Sequence, residues 1–219
     1  GEMDSPATVV LPHLIPLEAR WQSLRASAQL ADPLPERISV EGRNVEIFAL
    51  EGDNAPLATV EAMQLHARRQ GTDVEAATSF SGLLAGNEIA SGLPLLEGRA
   101  QLSIEDGTQR IEAKLFDLHG LSTYIHELVI GLAGEEAGIS LSGPVSIDED
   151  GLIDAELSLK VHDAEAAMQL AARIFPEARD EITAASSVID NLGDAPLMLR
   201  VSRGRAFLGF IPLGRIPPV

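Results

Sequence analysis

The sequence contains no cysteine, few aromatic residues and few basic residues relative to its acids. The absence of cysteine excludes disulfides, thiol catalysis, cysteine-ligated zinc and iron–sulfur clusters. With one Trp, one Tyr and six Phe, a hydrophobic core must be mainly aliphatic. Lys and Arg total 16 against 33 Asp and Glu, a formal net charge of -17, which disfavours binding to nucleic acids and to anionic membrane surfaces.

Long apolar segments are also absent. No run reaches the roughly 20 residues that span a bilayer, and no signal peptide opens the chain. The sequence starts at Gly1 rather than Met, which is typical of a processed chain and is compatible with a removed N-terminal membrane anchor. Hydrophobic residues make up 45% and charged residues 22%, a composition typical of folded globular proteins. The 219 residues predict one α+β domain over 1–219, with a sub-boundary near residue 120 as the alternative.

Apolar residues in the N-terminal half recur at every second position, which is typical of half-buried strands. The alternating runs are Leu24–Leu30, Val45–Ala49, Val74–Phe80 and Ala100–Ile104, and turn-forming segments separate them. A further run at Ile111–Leu115 predicts a hairpin with Ala100–Ile104, joined through Glu105–Thr108. The first half, 1–120, is therefore predicted to form a curved antiparallel meander.

Two more hairpins are predicted in the second half, 121–219. Ile153–Val161 alternates most regularly and pairs with Ile139–Ile147 through the turn Asp148–Gly151, while Pro144 indicates an edge or a bulge. Leu197–Val201 and Ala206–Phe210 form the second hairpin around Arg203 and Gly204. The Pro-rich end predicts an edge strand that bends across the helices or the rim of the sheet.

Three segments of the second half have helical spacing and predict about three short helices packed on the sheet. The first has its apolar stripe at Leu121, Ile125, Leu128, Val129 and Leu132; the second runs from the cap Asp163 to Pro176; the third runs from Glu177 to Gly193. Gly193 is a suitable residue for the position that follows the end of the third helix.

No motif assigns a chemical reaction. The phosphate-binding Gly-Lys-Ser/Thr sequence and the Gly-x-Ser-x-Gly elbow are both absent. His119 and His126 are seven residues apart, and we interpret them as exposed or capping imidazoles. Asp148–Gly151 lacks calcium-loop spacing and is interpreted as a solvated turn. We therefore predict a non-enzymatic protein with no catalytic residue, metal or cofactor; a hydrolase using carboxylates or His119 with His126 is the less favoured alternative.

The C-terminal stretch is the most distinctive part of the sequence. Leu197–Pro218 contains a strand, a Gly-Arg turn, a Leu-Gly strand and an Ile-Pro-Leu-Gly tail that ends in Pro-Pro. This order resembles an uncharacterised family of Gram-negative envelope proteins, domain of unknown function 2125, most clearly over Leu121–Val219. The resemblance implies a periplasmic location and a parent protein anchored to the inner membrane, and it supplies no reaction and no functional residue.

Two functions remain open at this point. The first is a soluble envelope interaction or assembly module, whose acidic surface limits aggregation and recruits a basic protein partner. The alternative is binding or transfer of a lipid or another elongated apolar ligand between the sheet and the helices. The walls of that site are predicted to include Leu128, Leu132, Met168 and Phe175, which lie on the inward stripes of the predicted helices.

Overall fold

The computed structural model describes residues 1–9, 16–50, 55–85, 94–115, 117–135, 137–163, 165–166 and 196–219. Thirteen strands form one antiparallel sheet. They are β1 (Ala7–Val9), β2 (Leu17–Arg20), β3 (Ser23–Gln29), β4 (Arg37–Ala49), β5 (Ala58–Gln70), β6 (Asp73–Ala85), β7 (Leu96–Ile104), β8 (Ser122–Leu132), β9 (Gly138–Ile147), β10 (Ile153–His162), β11 (Leu197–Ser202), β12 (Arg205–Leu208) and β13 (Ile211–Arg215). The helix α1 covers Gly107–Glu112. Among the described residues, no helix has the length and apolar character needed to cross a membrane.

The sheet is a meander in which nearly every strand pairs with its neighbours in sequence. The exception is β4, which pairs along one of its edges with both β2 and β3. They follow a single continuous register, from Leu17 opposite Ala49 to Gln29 opposite Arg37, with Trp21 in the short interruption between them. β2 and β3 thus act as one interrupted strand, and consecutive hairpins build the rest of the sheet.

Bulges interrupt the central ladders and change the alternation of side chains. The β8–β9 register shifts between Ile125 and Leu128, and the β7–β8 register shifts between Gln101 and Leu102. Gly143 of β9 pairs with Ile125 at this shift and has φ 139. A Cβ on Gly143 would lie 2.2 Å from the carbonyl oxygen of Glu156 on β10. Each bulge places two residues against one and increases the local twist of the strands.

The best-buried cluster lies on the C-terminal strands. Ala155, Leu157 and Val201 are 6–8% exposed. The partly buried residues that pack against them are Ile125, Leu141, Val145, Ile153, Leu199, Ala206 and Ile216. Ile216 follows β13, and its backbone N–H donates to the carbonyl of Gly204 at 2.7 Å. The C-terminal residues therefore close this cluster at the end of the sheet.

The first predicted helix is wrong, because its residues form the strand β8. The bulge explains the error. Thr123 and Ile125 lie on one face before the bulge, and Leu128 and Ile130 lie on the same face after it. The extra residue turns a spacing of two into a spacing of three, and this spacing imitates one turn of an amphipathic helix.

The predicted partner strand at Ile111–Leu115 is also wrong, because α1 begins at Gly107 and the chain reaches β8 without forming that hairpin. The backbone N–H of Thr108 donates to the carbonyl of Thr72, which holds α1 against the end of β6. The second and third predicted helices fall almost wholly on 167–195, outside the described residues. The α+β class with about three helices is therefore replaced by an antiparallel β-sheet that carries the short helix α1.

The antiparallel meander and the two C-terminal hairpins are confirmed. Ile153 pairs with Ile147, and Val161 pairs with Ile139. Pro144 lies within β9, pairs with Tyr124 one residue before the β8–β9 register shift and has no paired residue on β10, as expected for a proline beside a bulge. The tail begins as the edge strand β13, as predicted.

Candidate functional site

One face of the sheet carries a continuous row of small and aliphatic side chains. Each residue of this row is the direct cross-strand partner of the next, so all of them point to the same face. We call it the central apolar row: Ala26, Val40, Leu65, Thr78, Ala100, Leu128, Leu141, Leu159 and Leu197. Its one polar member, Thr78, donates its hydroxyl to the carbonyl of Gln64 at 2.9 Å.

The rows on either side are equally apolar. On one side, Ala67, Ala76, Leu102 and Ile125 are successive partners across β5 to β8. On the other side, the row consists of Gly42, Met63, Phe80, Gly98, Ile130, Ile139 and Val161. The ring of Phe80 lies over Gly98, where a Cβ would come within 2.7 Å of it. Three adjacent rows thus form one apolar face that spans most of the sheet.

This apolar face is only partly covered. Ten hydrophobic residues of the described ranges are at most 9% exposed, and none of the side chains described is fully buried. Leu65 in the central row remains 38% exposed and Ile38 in the neighbouring row 41% exposed. A conventional core of this width would bury most of these side chains completely, because protein interiors pack densely.

The predicted ligand residues Leu128 and Leu132 both lie on the apolar face, although on a strand. Leu128 lies in the central apolar row between Ala100 and Leu141. Leu132 pairs with Leu96 and is 8% exposed. The structure therefore brings these two residues to one face, while Met168 and Phe175 lie outside the described residues.

The apolar face has a polar end that sequence inspection missed. Arg69 pairs with Val74, so the register places it two residues beyond Ala67 on the apolar face. Its Nε and the hydroxyl of Thr108 are buried and have no hydrogen-bond partner. The sequence does indicate that Arg69 lies on this face, because the alternation of Met63, Leu65 and Ala67 continues to Arg69.

The polar groups considered for chemistry have structural partners. His126 Nε2 lies 2.7 Å from the hydroxyl of Ser103, and the backbone carbonyl of His119, in the segment before β8, accepts a hydrogen bond from Arg110 Nη1 at 3.1 Å. Asp148 Oδ1 accepts hydrogen bonds from the backbone N–H groups of Asp150 and Leu152 at 2.9 and 2.8 Å. This carboxylate therefore caps its own turn, as the interpretation of a solvated turn predicted.

The opposite face of the sheet is polar and carries an ion pair whose two pKa values are shifted. Arg99 donates from Nε and Nη2 to the two carboxylate oxygens of Glu127, both at 2.9 Å. These hydrogen bonds raise the pKa of Arg99 and hold the pKa of Glu127 below its ordinary value. Both groups are solvent-exposed, so the pair adds little stability.

Comparison with known proteins supports a family assignment. No curated protein matches the chain. Residues 1–217 match the family described as "Uncharacterized protein conserved in bacteria (DUF2125)". The match covers both the N-terminal meander and the C-terminal tail, whereas the sequence resemblance was clearest over the C-terminal half. The chain therefore belongs to the DUF2125 family of uncharacterised bacterial proteins.

Proposed function

We propose that this domain binds an elongated apolar molecule, such as a lipid acyl chain, along the apolar face of the sheet, and that it does so without catalysing a reaction. The observation that carries the proposal is the central apolar row, which continues without interruption from β3 to β11. The nine strands from β3 to β11 are separated by eight spacings of about 4.8 Å each, so the row is roughly 38 Å long.

The partial exposure of that row supports a ligand rather than a closed core. Side chains such as Leu65 retain apolar surface that a bound chain would remove from water. Each buried methylene group contributes about 0.8 kcal/mol, so a chain lying along several strands gains affinity without any polar contact. The site lies on the sheet itself, with Leu128 in the central apolar row; the second and third helices of the predicted cleft fall almost wholly on 167–195, outside the described residues.

The periplasm is the proposed location, and attachment of the parent protein to the inner membrane is part of the same proposal. It rests on the resemblance of the C-terminal stretch to Gram-negative envelope proteins. An envelope location supplies lipids to an apolar face of this kind, which is why the location and the ligand support each other.

Uptake of a fluorescent fatty acid tests the proposal, with lipid analysis of an organic extract of the purified protein as a second measurement. Leu128 and Val129 form a matched pair, because both are half-buried neighbours on β8 that point to opposite faces. We expect Leu128→Gln to weaken uptake about tenfold, equivalent to about 1.4 kcal/mol, and Val129→Gln to leave it unchanged.

Thermal unfolding of both variants controls for loss of the fold. If wild-type protein shows no saturable uptake and no co-purifying lipid, the proposal fails. Equal weakening by both variants at equal thermal stability would also reject the apolar face as the site.

An interaction or assembly module is the second candidate, and Phe210 is the observation that favours it. This side chain is 102% exposed in the turn before β13, next to Ile211 at 43%. Pro212 and the irregular register of β12–β13 disfavour addition of a partner strand, so Phe210 itself would be the contact. A pull-down from envelope extracts tests this candidate. Loss of a retained partner in Phe210→Ser would support it, and unchanged retention of that partner would reject it.

A further inference from the structure

A groove of about 610 Å³ lies on the polar face, opposite the apolar rows. Its lining includes Arg37 from β4, His66 and Arg68 from β5, Glu75 from β6, Gln101 from β7 and His126 from β8. The volume is in the range of small-molecule sites, which span roughly 300–1,000 Å³. Five neighbouring strands thus supply polar side chains to one groove.

Two cationic side chains lie next to each other in the groove. Arg37 and Arg68 are direct cross-strand partners, an arrangement of like charges that is unfavourable in a sheet. Arg68 is neutralised in part by Glu75, whose Oε2 accepts a hydrogen bond from Arg68 Nε at 2.6 Å. Arg37 forms no ion pair and no side-chain hydrogen bond within the described part of the chain. Its guanidinium is therefore available to an anion.

The imidazoles in the groove leave further ring nitrogens unused. His66 Nδ1 lies 2.9 Å from the hydroxyl of Ser39, and His126 Nε2 lies 2.7 Å from the hydroxyl of Ser103. The second nitrogen of each ring has no partner in the described ranges. Together with the amide of Gln101, these groups add further polar atoms to the lining of the groove.

The charge distribution of the strands also favours an anion on this face. The registers place nine of the sixteen lysines and arginines there: Arg25, Arg37, Arg43, Arg68, Arg99, Lys160, Arg200, Arg205 and Arg215. The strand acids on the same face are Glu41, Asp73, Glu75, Glu97, Glu127, Asp154 and Glu156, a small part of the 33 in the chain. The polar face is therefore not the acidic surface that the net charge of -17 predicted.

We propose that this groove binds a phosphate-bearing ligand, with Arg37 and Arg68 as its principal contacts. A guanidinium binds phosphate oxygens through paired N–H groups, and the bound charge would remove the repulsion between the two arginines. Donors from β4, β5 and β7 suit the three oxygens of a phosphate group better than the two of a carboxylate. The site lies on the opposite face from the apolar rows, and the proposal is independent of lipid-chain binding there.

Titration with glycerol 3-phosphate, followed through the NMR signals of the arginine side chains, tests the site. Arg37 and Arg43 are a matched pair on the polar face of β4, about 20 Å apart at roughly 3.3 Å per residue. We expect saturable shifts in the wild type, binding weakened about tenfold by Arg37→Gln or Arg68→Gln, and unchanged binding in Arg43→Gln.

Vesicle flotation distinguishes the two sources of phosphate. Association with phosphatidylcholine vesicles that contain phosphatidic acid, lost in Arg37→Gln, would identify a lipid headgroup, whereas glycerol 3-phosphate binding without vesicle association would identify a soluble phosphate ester. Either result supports the groove. Absence of saturable binding in both experiments, or equal weakening by Arg37→Gln and Arg43→Gln, would overturn it.

Discussion

Single residues decide where the ladders of this sheet become irregular, and Gly143 is the clearest case. Its φ of 139 is a conformation that side chains rarely adopt, and a Cβ would lie 2.2 Å from the carbonyl oxygen of Glu156. That oxygen belongs to the backbone of the neighbouring strand, which cannot move aside as a flexible side chain can. Gly143 therefore allows β9 and β10 to approach closely beside Pro144.

We predict that Gly143→Ala lowers the free energy of unfolding by about 2–4 kcal/mol, because backbone strain and a steric clash add. Denaturant titration measures the change. Gly134 is the control, since its φ is 77 and no atom lies within 4 Å of the added Cβ. Gly134→Ala is expected to cost about 1–2 kcal/mol from the left-handed backbone alone. Equal losses would show that the contact with Glu156 is unimportant.

The Arg99–Glu127 pair makes a prediction about protonation. The hydrogen bonds from Arg99 lower the pKa of Glu127, so in wild-type protein its carboxyl should titrate below the ordinary glutamate range. In Arg99→Gln the pKa of Glu127 should rise towards its ordinary value. The pair's small stabilisation is complete above the unfolded-state pKa and is lost as the pH falls through the lower folded-state pKa. NMR titration of the Glu127 carboxyl carbon in both proteins measures this, and identical curves would contradict it.

At the scale of elements, the sequence predicts those strands whose alternation is unbroken. The hairpin of β9 and β10 was predicted correctly because Ile153–Val161 alternates without an extra residue. β8 was mistaken for a helix because its bulge separates Ile125 from Leu128 by three positions. A bulge depends on the neighbouring strand, so a single segment examined alone gives no indication of it.

The same limit applies to the candidate sites. The sequence predicts Leu128 and Leu132 on the inward stripe of a helix, and they lie instead on one face of the strand β8, because a spacing of four residues keeps two side chains on the same side of either element. The pairing of Arg37 with Arg68 depends on the register of β4 against β5, and those residues are 31 positions apart in the sequence. No local pattern gives that register, which is why the groove on the polar face was missed.

The register of β10 predicts opposite outcomes for neighbouring residues. Leu157 is 8% exposed in the best-buried cluster, so Leu157→Ala should cost about 2–5 kcal/mol through lost burial and a cavity. Glu156 points to the polar face, and its 4.0 Å contact with Arg200 joins two exposed side chains. Glu156→Ala should therefore change the free energy of unfolding by no more than about 0.5 kcal/mol. Similar losses in denaturant titration would mean that the faces are assigned wrongly.

At the scale of the whole molecule, stability should fall from the middle of the sheet towards its edges. The strands from β4 to β11 have a partner on both sides, while β1 and β13 are the ends of the strand order. All five residues of β13 are exposed, whereas β8 is half-buried over most of its length. Local opening of an edge strand breaks one ladder and exposes little apolar surface, so it requires less free energy than opening a central strand.

Amide hydrogen exchange should show this gradient directly. We expect the hydrogen-bonded amides of β8 and β9 to exchange slowest and those of β13 to exchange fastest among the paired strands, because only β13 combines an open edge with complete exposure. Val219 gives an internal control: its N–H donates to the carbonyl of Gly151, so it should exchange with β13 if the tail and the edge open together. Protection of β13 equal to that of β8 would show that something further covers this edge, and would direct the search for a protein partner to Phe210 and β13.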